Sequence, residues 1–192
     1  MKEEKIWQMI DAFLWGEAFE VKKGVIKVVD HSHVCMMEIR NVKLKDGPWI
    51  IEGKGAKMKP VKYKDVEDYG NIMSPALPNI DSPCKISLGS TENIFQVLKQ
   101  MDRISGLILI ESNSKTLKLS VEQTVGGIEA IIPTTNIDGD GSDIRSQYAL
   151  HYLIQPFRYL NPTSLEFGPN YPITLKGKNW TFFLAPRIEG DA

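Results

Sequence analysis

Thr181-Phe182-Phe183-Leu184-Ala185-Pro186-Arg187-Ile188-Glu189 is the stretch on which the fold turns. Its first four residues are β-branched, aromatic or aliphatic, the types that suit a pleated, half-buried strand. Pro186 then stops the ladder, because proline has no amide hydrogen to offer a neighbouring strand. The run reads as a strand followed by a proline hinge set between apolar residues.

Upstream of it the chain alternates strand and helix signals. Ile6, Ile10, Phe13 and Leu14 recur at helical spacing, with Glu4, Gln8 and Asp11 on the other side, which predicts a helix over 4–15. Ala18 to Val21, Gly24 to Val29 and Val34 to Ile39 are β-rich and separated by turn residues, which predicts an antiparallel sheet against that helix. Trp49-Ile50-Ile51 and Val61-Lys62-Tyr63 are candidate short strands, with Gly53, Gly55 and Pro60 as punctuation.

Between Ser74 and Pro83 stand Pro75, Pro78 and Pro83, which exclude a helix interior and favour an extended connector. The pattern then restarts. A strand is expected at Cys84 to Leu88, a helix at about Thr91 to Ile104, and strands at Leu107 to Glu111, Thr116 to Val121 and Ile128 to Ile132. A second helix is expected from about Ser146, kinked or ended by Pro156, then strands at Ser164 to Phe167, Ile173 to Leu175 and Thr181 to Leu184. Helix-then-strands on both sides of the connector predicts a repeated α+β unit, divided as 1–70, a connector over 71–83, and 84–192.

Composition narrows the classes. At 192 residues the chain is long enough to bury about 70% of its unfolded surface. No apolar run approaches the roughly 20 residues that span a bilayer, and the charged start Met1-Lys2-Glu3-Glu4-Lys5 is unlike a signal peptide, which predicts an intracellular protein with no membrane role. Cys35 and Cys84 lack metal-binding spacing and read as reduced, buried thiols. A net charge of −1 argues against bulk attraction to nucleic acid, but Lys43, Lys45, Lys54, Lys57, Lys59, Lys62 and Lys64 face only Asp46 and Glu52 in their segment. Such a segment is able to neutralise phosphates, although most are simply solvated.

The helix at 91–104 turns Ile94, Val97, Leu98 and Met101 inward and Glu92, Gln96, Lys99 and Arg103 outward. The later helix turns Leu150, Leu153, Ile154 and Phe157 inward and His151, Gln155 and Arg158 outward. Such faces are most often simply solvated, but on helices facing a common channel sparse cations could hold duplex DNA without reading its sequence.

Several segments, taken in order, resemble the proliferating cell nuclear antigen (PCNA) family of DNA sliding clamps. They are Asp11 through Phe19 with Gly24-Val25-Ile26, the turn Asp30-His31-Ser32-His33-Val34, Tyr148-Ala149-Leu150-His151-Tyr152-Leu153, Phe167-Gly168 through Tyr171-Pro172-Ile173, and Phe183 to Glu189. The resemblance implies an α+β DNA-clamp fold of two similar helix-plus-antiparallel-sheet domains, without catalysis or cofactor, that encircles duplex DNA as a head-to-tail homotrimer. It implies partners as well: a DNA polymerase, other clamp-binding enzymes and a clamp loader. A location in cytoplasm or nucleoid for an archaeal or viral protein, or in the nucleus for a eukaryotic one, goes with it.

Carried onto this chain, the resemblance places a partner-peptide pocket at Val29, His33, Val34 and Met36, at Leu77 and Pro78 of the connector, and at Pro172, Phe183, Ala185, Pro186 and Ile188. It places DNA contacts at Lys99, Arg103, His151 and Arg158, and ring closure between about Lys64 to Tyr69 and Gly127 to Ile132. The chain departs from the family between Asn41 and Lys64, where a lysine-rich insert replaces further strands and a channel helix, so the first domain is expected to be truncated. Lys54, Lys57 and Lys59 are expected to supply part of the missing positive surface.

Two other readings compete. A shortened clamp relative that stays monomeric would bind clamp partners as a decoy or regulator. His31, His33 and Cys35 alternate along one strand and could ligate zinc in a hydrolase, but neither a fourth ligand nor a catalytic carboxylate is evident nearby. Asp138-Gly139-Asp140-Gly141-Ser142 departs from a calcium loop at its sixth position, Asp143, and its twelfth, Ala149, and is expected to be a flexible turn.

Overall fold

A computed structural model describes residues 8, 10, 18–30, 32, 34–52, 57–60, 82–113, 116–123, 126–139 and 143–187. Two compact units divide the chain: Met1–Pro78 with Lys178–Phe182, and Asn79–Gly177 with Phe183–Ala192.

In the first unit, β1 (Ala18–Lys22), β2 (Val25–Val29), β3 (Cys35–Arg40), β4 (Gly47–Glu52) and β5 (Lys57–Pro60) are all antiparallel. Lys23 and Gly24 both have positive φ, 52° and 69°. That is the two-residue hairpin turn whose twist matches the flanking strands, and it explains why β1 and β2 meet at this point. The strand order is β5-β4-β1-β2-β3, and β3 is continued by β14 (Trp180–Leu184). Within this unit the Arg40 amide donates to the Asn179 carbonyl at 2.7 Å. Phe19, Val21, Ile26, Val28, Met37 and Ile39 are buried, alternating along their strands as a one-sided sheet requires. The expected N-terminal helix is seen only at Gln8 and Ile10, both helical, with Gln8 exposed and Ile10 buried.

The second unit holds a sheet of β10 (Thr134–Gly139), β6 (Cys84–Leu88), β12 (Ser164–Phe167) and β13 (Ile173–Gly177), in that order. A four-stranded sheet follows the order β11 (Ile144–Ala149), β7 (Leu107–Ser112), β8 (Leu117–Gln123), β9 (Gly126–Ile132). Helices α1 (Thr91–Met101) and α2 (Leu150–Tyr159) pack against each other. Ile94 and Leu98 of α1, Leu153 and Phe157 of α2, and Leu119 and Leu165 of the two sheets line one apolar centre. Burial of side chains of this size contributes about 1.5–3 kcal/mol each, which makes this the unit's core.

The two units repeat one topology. In each, a three-strand meander is followed by a strand that returns beside the first, giving β4-β1-β2-β3 and β11-β7-β8-β9. They differ in what comes next: β11 runs straight into α2, whereas β4 turns back into β5.

Three expectations are corrected, and a fourth falls outside the described residues. The second helix starts at Leu150, not near Ser146, because Ile144, Ser146 and Tyr148 point inward along a strand paired residue by residue with β7. The helix does not end at Pro156; it continues to Tyr159, with Pro156 buried and its carbonyl accepting from the Leu160 amide at 2.9 Å. Asp138 and Gly139 belong to strand β10, paired with Lys85 and Cys84 of β6, and not to a turn. The strand after β4 is Lys57–Pro60, while Val61 to Tyr63 lie outside the described residues.

Candidate partner-docking surface

In the first unit, Val29 and Met36 are directly opposed across the β2–β3 pair, so both side chains stand on the same face. Both are half-buried, as is Val34. The connection between the strands is organised by Asp30, which is only 2% exposed. One carboxylate oxygen accepts from the Cys35 amide at 2.7 Å and the other from the Ser32 amide at 3.1 Å, while the Asp30 amide donates to the Cys35 carbonyl at 3.0 Å. These charge-assisted bonds set the path of the chain between Val29 and Met36. Burial, and then the nearby Asp30 charge, push the Cys35 thiol above its ordinary range, so it stays protonated. His31, His33, Leu77, Pro78 and Ile188 lie outside the described residues.

In the second unit, strand β11 anchors two apolar segments through two consecutive residues. The Gln147 carbonyl accepts from the Arg187 amide at 2.7 Å, which fixes the segment after β14. The Tyr148 hydroxyl donates to the Tyr171 carbonyl at 2.8 Å, which fixes the loop before β13. Pro172, Ala185 and Pro186 are half-buried and Phe183 is buried. The loop itself is tight: Asn170 has φ +57°, the Tyr171 amide donates to Gly168, and a Cβ at Gly168 would meet the Pro83 ring at 2.7 Å. Neither Tyr148 nor Tyr171 was assigned a role from sequence. The sequence signal for both is that they lie in segments carrying the family resemblance, Tyr148 to Leu153 and Phe167 to Ile173.

The cations expected to touch DNA divide in the same way. Lys99 and His151 are exposed on α1 and α2, Arg158 is exposed on α2 with its guanidinium 5.1 Å from the Tyr159 ring centroid, and Arg103 is exposed in the turn after α1. Lys57 and Lys59 lie on β5, and Lys54 lies outside the described residues.

Strand β9 borders the four-stranded sheet. On it Ile131 is 66% exposed, and its cross-strand neighbour Lys118 bridges Glu111 at 2.7 Å and Glu129 at 3.4 Å. Lys64 to Tyr69, the other expected ring-closing segment, lie outside the described residues. No group of three or more potential metal ligands occurs among the described residues.

No protein-family model matches the chain, and neither does the sequence of any curated protein. Solved structures do. The chain is similar to PCNA of A. fulgidus, solved with the C-terminal region of FEN-1, at TM-score 0.71 and 18% identity, covering 98% of this chain and 96% of that one. It is similar to PCNA of Entamoeba histolytica at TM-score 0.72 and 15% identity, covering 96% and 94%. A chain of the PCNA2–PCNA3 complex of Sulfolobus tokodaii gives 0.67 and 18%, covering 96% and 95%. The architecture is therefore an α+β clamp. In particular it is the PCNA-type fold, over nearly the whole chain.

Proposed function

We propose that this chain is a subunit of a DNA sliding clamp: a non-enzymatic scaffold that surrounds duplex DNA and tethers DNA polymerase and other replication and repair enzymes. The observation that carries the reading is the extent of the fold likeness, which spans both units and nearly all of the PCNA chains it matches. Partner binding is supported by the similar A. fulgidus protein, which was solved with the C-terminal region of FEN-1, and assembly by the S. tokodaii PCNA2–PCNA3 complex.

In this reading Val29, His33, Val34, Met36, Leu77 and Pro78 of the first unit take part in partner binding, as do Pro172, Phe183, Ala185, Pro186 and Ile188 of the second. Their chemistry suits an amphipathic peptide carrying aromatic anchors. Lys99, Arg103, His151 and Arg158 contact phosphates without reading bases. Three subunits close a ring through β9, a clamp loader opens it, and the protein works in the compartment where DNA is replicated.

The test is retention on DNA. A clamp should stay on a circular duplex after loading and slide off once the circle is cut. It should also bind a synthetic peptide of the A. fulgidus FEN-1 C-terminal region, and its solution mass should be three times that of the 21.6 kDa chain. Failure to be retained by the circle, with no binding of the peptide, would overturn the assignment.

A second reading is favoured by one difference between the units: where the second unit places helix α2 after its returning strand, the first places strand β5. Among the described residues no helix follows β4; a chain lacking one there would lose part of a DNA-facing wall, and would act as a monomeric decoy for clamp partners. Peptide binding by a monomer that DNA does not retain selects this reading. Substituting Lys54, Lys57 and Lys59 by Glu separates the two further, since unchanged DNA affinity at low salt would show that the lysines do not replace the missing surface.

A further inference from the structure

At one end of its sheet the first unit ties three turns together. The loop between β3 and β4 meets the β1–β2 turn, where the Val42 amide donates to the Gly24 carbonyl at 2.9 Å and the Lys23 amide donates to an Asp46 carboxylate oxygen at 3.0 Å. The same loop meets the turn before β14: the Arg40 amide donates to the Asn179 carbonyl at 2.7 Å, and the Asn41 side-chain amide donates to the Asn179 side-chain oxygen at 3.2 Å. These bonds bring Lys22, Lys23, Lys43, Lys45 and Lys178 to one end of the unit, and all five are exposed. Among the described residues none of them has a carboxylate within ion-pair distance. Asp46 is the one acidic residue in the three turns, and Arg40 is already engaged by Glu38 at 3.7 Å. The backbone bonds fix where the lysines start, while their long side chains stay free to follow a ligand.

The chemistry of this end selects its ligand. No large apolar side chain is exposed there, since Ile131 and Tyr171, the two exposed among the described residues, belong to the second unit. Protein partners are gripped chiefly through buried aromatic and arginine anchors, and single-stranded nucleic acid chiefly through stacking on aromatic rings. Duplex DNA asks for charge alone, one negative charge per roughly 1.7 Å of axis, and lysine meets it as a point charge that needs no fixed geometry. We infer that this end of the first unit is a second binding surface for duplex DNA, contacting phosphates through Lys22, Lys23, Lys43, Lys45 and Lys178. It is additional to the cations of α1 and α2, which belong to the second unit. The surface lies within one unit, so it requires neither ring closure nor peptide binding and stands or falls apart from them.

Binding of the full chain to a short linear duplex should be followed by fluorescence anisotropy over a salt series. A linear duplex retains no ring, so the measurement reads this surface whether or not circles are held. Lys23 is left unchanged because its φ of 52° shapes the turn. K22Q/K43Q/K45Q/K178Q should weaken binding at low salt by about tenfold or more and lower the slope of log affinity against log salt by about 3–4. The four lysines are exposed, so the urea midpoint should not move. K118Q/K176Q removes two lysines already bonded to Glu111, Glu129 and Glu166, and should change the slope little. Equal slopes for the wild type and the fourfold variant, or no duplex binding by the wild type at low salt, overturn the inference. So does a control that lowers the slope as much per lysine removed, because the effect would then be one of net charge. Tighter binding of a poly-glutamate peptide than of the duplex, lost in the fourfold variant, overturns it in favour of an acidic protein partner.

Discussion

The Arg187 amide donates to the Gln147 carbonyl at 2.7 Å, which places the segment after the last strand alongside β11. One bond between residues 40 positions apart turns Ala185 and Pro186 from a tail into part of a surface. Arg187→Pro removes the donor and nothing else from the backbone ladder. It should cost about 0.5–1.5 kcal/mol, read as a small shift of the urea midpoint, yet greatly weaken peptide binding. Unchanged peptide affinity would show that the segment does not need its anchor.

Asp30 closes the β2–β3 connection with two bonds from its carboxylate. Asp30→Ala leaves the Cys35 amide unsatisfied in a buried place, and should destabilise the chain by about 2–3 kcal/mol. Faster amide exchange at 32–36 should accompany the loss. A denaturation midpoint equal to that of the wild type would show that the turn holds without it.

At Gly127 an added Cβ would run into the Val121 carbonyl of the neighbouring strand. Gly127→Ala should therefore displace β9 from β8, and if β9 joins subunits the displacement will show as a lower solution mass at equal concentration. Exchange protection of β9 is the direct check, because it must fall whether or not subunits meet there.

Cys35 and Tyr148 both hold their protons more tightly in the native chain than in the unfolded one, whose ordinary values are 9.0 and 10.0. Above those values the unfolded state has released protons that the native state still binds, so stability falls as pH rises. Urea midpoints should be flat near neutrality and decline from about pH 9 upward. The decline should be shallower in C35S, whose hydroxyl does not titrate there.

The cations of α1, its following turn and α2 should act through counterion release. Each of Lys99→Glu, Arg103→Glu and Arg158→Glu should weaken duplex binding equally for all sequences and lower the slope of log affinity against log salt by about 1. A change that depended on DNA sequence would contradict phosphate contact.

Much of this architecture was legible in the sequence. The Lys23-Gly24 turn, the alternating strands of the first unit and the Ile94, Leu98, Met101 stripe of α1 all came from local periodicity and turn chemistry. The start of α2 did not. Ser146 takes an inward position with a polar side chain, and Tyr148-Ala149-Leu150 continues as an apolar run from strand into helix, so neither period stands out. Strand β10 was hidden because Thr134-Thr135-Asn136-Ile137-Asp138-Gly139 has a single apolar residue, Ile137, and ends in the turn formers Asp138-Gly139, and it exists as a strand by pairing with β6. Pro156 argued for a helix end, but its buried packing carries the helix past it.

From residues alone came the order of the elements, the apolar faces of the helices and the resemblance of the last segment, because each depends on neighbours within a few positions. Tertiary structure decided which pieces are held and by what: the Ala185-Pro186 segment through Arg187 by Gln147, Tyr171 by Tyr148, the β2–β3 connection by a buried Asp30. Two of these bonds join residues 23 and 40 positions apart through a backbone carbonyl, and a carbonyl belongs to every residue type. No side-chain pattern marks it in advance, and only the folded backbone brings the partner within reach.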